Sequence, residues 1–87
     1  MTFRITRTVG ENGTLLRVDG RLNRDGLGEL ERASETAIKP LTIDLAGLRF
    51  ADDAALAALR RLEKAGARLI GASQYLELRL KSFSQGA

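Results

Sequence analysis

The chain contains no cysteine, no histidine and no tryptophan. Without cysteine there is no disulfide framework and no thiolate nucleophile or metal ligand. Without histidine the commonest general base and metal ligand is missing as well. Aromatic residues make up only 5% of the sequence, so a core must be built from Leu, Ile, Val and Ala. No apolar run approaches the ~18 residues that span a bilayer, and no signal-peptide pattern opens the chain. A cytoplasmic location without membrane insertion is therefore expected.

The 87 residues, 44% apolar and 29% charged, have the composition of one small globular domain covering residues 1–87. The net charge of +3 comes from Arg spread along every segment, not from a block. Neither a recognition motif nor an aromatic stacking platform accompanies that charge, which argues against nucleic-acid binding. A chain this short buries a modest share of its surface, so association into a homodimer would help it.

The strongest local signal is residues 41–66. Leu41, Ile43 and Leu45 alternate with Thr42 and Asp44, the period of a half-buried strand. Beyond Ala46-Gly47 and a loop, Leu56, Leu59 and Leu62 recur at helical spacing, with Ala55, Ala58 and Ala65 beside them. Arg60, Arg61, Glu63 and Lys64 take the other face. Asp52 is a good N-cap, and Asp53 falls in the first turn, where exposed amides favour negative charge. Gly66 suits the helix end.

Around this unit, Phe3, Ile5 and Val9 alternate with polar residues, with a skip at Arg7. Asn12-Gly13 supplies a hairpin turn, and residues 14–19 form a second strand. A connection over residues 20–26 follows, with Asp25 as a candidate helix cap. Leu27, Leu30, Ser34, Ala37 and Ile38 then mark one helix face, stopped by Lys39-Pro40. Residues 67–71 read as a short strand. Residues 75–83 are ambiguous: Leu76, Leu78 and Leu80 alternate as in a strand, whereas Tyr75, Leu76, Leu80 and Phe83 fit a helical stripe that leaves Leu78 a misfit. The pattern alone leans to strand. Residues 84–87 are expected to fray.

The element order implies an α/β domain with a four-stranded, mostly parallel sheet in the order 1-2-3-4 and the first strand antiparallel. The strands alternate instead of being apolar on both faces. The helices should therefore pack mainly on one face and leave the other wet or open to a partner.

These residues resemble the STAS domain of bacterial anti-sigma factor antagonists. In that family an Ile-Asp-Leu strand runs through an aromatic-x pair into Asp-Ser-Ser-Gly-Leu and a helix. Here Ile43-Asp44-Leu45 leads to Phe50-Ala51 and then to Asp52-Asp53-Ala54-Ala55-Leu56. The family's Gly-Glu-Leu-Asp turn becomes Gly20-Arg21-Leu22-Asn23. The resemblance runs from Phe3 to Phe83 and implies a helix after Ser73, which is the expectation adopted for residues 75–83. The family's usual last strand and helix do not follow.

The resemblance also implies a non-catalytic protein-interaction module whose partner is an anti-sigma factor or a related switch kinase, with no cofactor. The family's phosphoacceptor Ser is Asp53 here, and the next Ser and Gly are Ala54 and Ala55, so no hydroxyl remains to phosphorylate. Asp53 either imitates the phosphorylated form, with one charge in place of about 1.5 to 2, or is simply a favourable first-turn residue. Asn23 in place of the turn Asp lowers the local negative charge. The expected partner-binding residues are Asn23, Arg24, Asp25, Arg49, Asp52 and Asp53. Adjacent helical residues point about 100° apart, so Asp52 and Asp53 do not converge as a catalytic dyad. An alternative with the same resemblance is the accessory STAS subunit of a lipid-transport ABC complex, which binds its ATPase subunit without phosphorylation. A third is a self-associating scaffold using Ile70, Leu78 and Phe83.

Overall fold

The computed structural model describes residues 3–85, and side chains for residues 3–82. Gly86 and Ala87 of the tail expected to fray, and the Phe83 side chain of the expected apolar patch, lie outside the described residues. Strands β1 (Phe3–Gly10) and β2 (Gly13–Leu22) form an antiparallel hairpin. A 3-10 turn (Arg24–Gly26) leads into helix α1 (Leu27–Glu35), followed by β3 (Leu41–Asp44), β4 (Leu48–Ala51), α2 (Asp53–Lys64), β5 (Arg68–Ile70) and α3 (Gln74–Gln85).

The sheet runs β1-β2-β3-β5, the order the sequence implies, with β3 parallel to both β2 and β5. It has five strands, not four, because residues 48–51, read from the sequence as loop, form β4. Strand β2 is longer than expected and reaches through Gly20 to Leu22. Its first half pairs with β3 and its far end with β4. Between the two, the chain steps out through residues 45–47 and returns by a turn in which Leu48 N–H donates to Leu45 O at 3.0 Å. A register shift at Gly20/Arg21 sets two β4 residues against one β2 step, which leaves Arg49 as the extra, exposed residue of a bulge.

One face of the sheet carries the core. Leu16, Val18 and Leu22 of β2 and Leu41 and Ile43 of β3 are buried there against Leu30 of α1, Leu56 and Leu59 of α2, and Leu76 and Leu80 of α3. All three helices therefore cover the same side. Arg7, the interruption in the β1 alternation, also points to this side. Its guanidinium donates to Ala33 O at 3.3 Å and to Thr36 Oγ1 at 2.6 Å, a cation against the carboxyl end of α1.

Two helix boundaries differ from expectation. Asp25 does not cap α1: it sits within the 3-10 turn, and Gly26 occupies the N-cap position without a side-chain bond. At the other end, α1 stops at Glu35, before Ala37 and Ile38. Thr36 N–H returns to Arg32 O and Thr36 Oγ1 to the same carbonyl, which closes the last turn. The chain beyond is held by β2, where Thr14 Oγ1 donates to Ile38 O at 2.8 Å and Thr14 N–H to Pro40 O at 3.0 Å.

Residues 75–83 are helical. Leu76 and Leu80, one turn apart, are buried, and Leu78 is 67% exposed, the misfit that a helical stripe requires. Ser73 starts the helix, its Oγ accepting from Leu76 N–H at 3.2 Å. Ile70 stands on the opposite side of the sheet from α3, so it does not form one patch with Leu78.

Candidate functional site

The first turn of α2 is built around Asp52. Its backbone is extended, and its N–H donates to Leu22 O at 3.2 Å, continuing the pairing with β2. Its Oδ1 accepts from Ala55 N–H at 2.8 Å, the N-cap bond, while Oδ2 accepts from Arg24 N–H at 3.2 Å. One carboxylate thus satisfies an orphan amide of the helix and ties the turn after β2 to it. Asn23 caps that turn, its Oδ1 accepting from Asp25 N–H at 3.0 Å.

With Asp52 committed to the backbone, Asp53 is the residue left to face outward. Its side chain is 83% exposed, and its Oδ1 accepts from Arg79 Nη2 of α3 at 2.9 Å. Arg79 Nη1 donates to the Tyr75 hydroxyl at 2.8 Å, and the guanidinium lies 5.7 Å from the Tyr75 ring centroid. The hydrogen bond to Tyr75 first, and the Tyr75 and Asp53 charges with it, hold Arg79 above its ordinary range. On the other side, Phe50 of β4 lies beneath the Arg21 guanidinium, 4.8 Å from ring centroid to Cζ.

Arg24, Phe50, Asp52, Asp53, Ala54 and Arg79 line one shallow, open concavity. Of the residues expected from sequence, the fold brings Arg24, Asp52 and Asp53 together there. Asn23 is occupied as a turn cap, Asp25 is exposed on the turn, and Arg49 stands apart on the β4 bulge. The sequence reading missed Arg79 and Tyr75. Their spacing of four residues places them one helical turn apart, but the signal becomes readable only once residues 74–85 are known to be helical.

The arrangement offers charge and hydrogen bonding. Asp52 is fixed by two amide donors and Asp53 by a guanidinium, so neither is held as a proton acceptor against a nucleophile. Among the described residues no group of three His, Cys, Asp or Glu side chains could hold a metal ion. The groove between α1 and α2, lined by Leu41, Leu62, Ala65 and Ala67 and rimmed by Glu31 and Arg61, shares no residue with this tip. No helix among the described residues is long and apolar enough to cross a membrane.

A small mixed sheet covered by helices on one side, with a capped helix tip beside the strand ends, defines a small layered α/β domain. Residues 5–76 match the family model described as "Mlab, STAS domain", and the chain belongs to the STAS domain family. It is similar to the crystal structure of an antisigma-factor antagonist STAS domain from Rhodobacter sphaeroides, with a TM-score of 0.64 and 23% identity over 84% of this chain and 94% of that one. The search of curated proteins returned no match.

Proposed function

We propose that the chain is a non-catalytic protein-interaction module of the anti-sigma factor antagonist type, which docks on its partner through the tip of α2. The observation that carries this reading is Asp53: a carboxylate 83% exposed at a helix N-terminus, beside a concavity that also presents Arg24 and Arg79. It stands where the family carries its phosphoacceptor, and the following residues, Ala54 and Ala55, restore no hydroxyl. The partner is an anti-sigma factor or a related switch kinase. Arg24, Asp52 and Asp53 form the centre of the contact region, flanked by Asn23 and Asp25 on the turn and by Arg49 on the β4 bulge, with Asp52 acting through the shape of the tip.

Affinity purification from the source cell followed by mass spectrometry tests the reading, with Asp53→Ala as the control bait. A sigma-regulating kinase captured by the native chain and lost with Asp53→Ala supports it. If Asp53 instead imitates a phosphorylated residue, Asp53→Ala should not lose the partner, and Asp53→Ser should bind it more tightly and accept phosphate from it. No change in either would show that Asp53 is only a first-turn residue.

A second reading, the accessory STAS subunit of a lipid-transport ABC complex, is favoured by the same missing hydroxyl, because docking on an ATPase subunit needs no phosphorylation. Capture of a transporter ATPase in the same experiment would select it.

A further inference from the structure

The side of the sheet away from the helices is uncovered, and its residues follow from the strand register. One row runs Thr8, Leu15, Thr42, Arg68 across β1, β2, β3 and β5, and the next runs Thr6, Arg17, Asp44, Ile70. Arg4 then pairs with Asp19, and Arg21 with Phe50 of β4. Four arginines and two aspartates stand here, so this face carries two of the three net positive charges of the chain.

The carboxylates are already engaged. Asp19 Oδ1 accepts from Arg17 Nε at 3.0 Å, and Asp44 Oδ1 accepts from Ala46 N–H at 2.9 Å. The hydrogen bond to Asp19, with its charge and that of Asp44, raises Arg17 above its ordinary range. Arg4, Arg21 and Arg68 have no carboxylate within ion-pair distance among the described residues. The face is therefore a self-paired centre ringed by three cations that the fold leaves unneutralised.

We propose that this open face is a second docking surface, adjoining the α2 tip at Phe50, and that it takes an acidic segment of another protein. Its carboxylates would meet Arg4, Arg21 and Arg68 around the Arg17 centre. Charge complementarity selects the sign of the partner, and the make-up of the face selects its class. Asp19 and Asp44 lie among the arginines, where a phosphate array would meet like charge. The one aromatic, Phe50, is already covered by Arg21, which leaves no platform for base stacking. Leu15 is half-buried and Ile70 is a single exposed residue at the sheet edge, too little apolar surface to anchor the face in a bilayer. A second copy would bring two net-positive faces together. Arginine around a mixed, partly apolar centre is the composition of protein–protein contacts. Roughly 14 by 20 Å of sheet lies between the outermost rows and strands, which places the contact in the small, transient class.

Chemical-shift titration of the full chain with a synthetic peptide of alternating Glu and Leu tests this, with anionic phosphatidylglycerol vesicles and duplex DNA as competing probes. Amide shifts should centre on Leu15, Arg17, Thr42 and Arg68 and fade with added salt. Arg21→Glu with Arg68→Glu should weaken peptide binding about fivefold or more, the scale of two exposed ion pairs lost. Arg21→Gln with Arg68→Gln should move it the same way by less. Arg32→Glu with Lys39→Glu, equal in charge but off this face, should change it little. An equal loss in that control, shifts centred on the helices, or tighter binding to vesicles or DNA than to the peptide would overturn the proposal.

Discussion

Arg79 of α3 donates to the Asp53 carboxylate across 2.9 Å, which joins the last described helix to the tip of the central one. The exposed charge of the candidate surface is thus already met by a cation from the same chain. A cationic partner group that approaches Asp53 must share it with Arg79 or displace it.

The first prediction concerns this pair. A double-mutant cycle of Asp53→Ala and Arg79→Ala, read by thermal unfolding, should give a small favourable coupling that fades as salt shortens the Debye length to about 3 Å at 1 M. Arg79 is held above its ordinary range in the folded state, so its contribution is fully present below the range where an arginine ordinarily loses its proton and is lost only above it. The coupling should therefore stay constant as pH rises from neutrality through mild alkali. A fall near neutrality would mean that another group holds Asp53.

The two neighbouring aspartates should separate stability from binding. Asp52→Ala removes the cap on Ala55 N–H and the tie to Arg24 N–H, and should cost about 1–2 kcal/mol in denaturant unfolding. Asp53→Ala should stay within about 0.5 kcal/mol. It should nevertheless abolish capture of the partner, whereas the effect of Asp52→Ala on capture should scale with its loss of folded protein. Equal stability losses would contradict the division of roles between cap and contact.

Much of this surface was legible in the sequence, for reasons that the same residues explain. Asp52 and Asp53 were readable because capping and the first helical turn depend on local order alone. The alternation in β2 and β3 announced which face is buried, since a strand one residue out of phase would bury Arg17 and Asp44. Strand β4 was not readable: Leu48, Arg49, Phe50 and Ala51 do not alternate cleanly, because Arg49 is a bulge residue and the pairing depends on the far end of β2. Asp25 looked like a cap by type, but a 3-10 turn intervenes. Arg79 was invisible because its partner lies 26 residues away and its own helix was identified only through family resemblance.

Two leucines in α3 test the helical reading of the ambiguous segment. Leu76 is buried and Leu78 exposed, so Leu76→Ala should destabilise by about 2–5 kcal/mol and Leu78→Ala by no more than about 0.5 kcal/mol. A strand would bury both on one face and give similar losses. Comparable values in chemical denaturation would therefore return the segment to the alternative that its alternation suggests.

Gly13 and Gly66 both adopt positive φ, +107° and +116°, but in different surroundings. A Cβ at Gly66 meets nothing within 4 Å, so Gly66→Ala should cost only the left-handed backbone term, about 1–2 kcal/mol. A Cβ at Gly13 would lie 2.1 Å from Pro40 O, the carbonyl that accepts from Thr14 N–H. Relief would have to move backbone and break the bond that aligns β2 with the start of β3. Gly13→Ala should therefore lower the unfolding midpoint clearly more than Gly66→Ala, with the amides of Thr14 and Leu41 losing exchange protection first. Equal midpoints for the two variants would show that the hairpin and the loop before β3 are not coupled through Pro40.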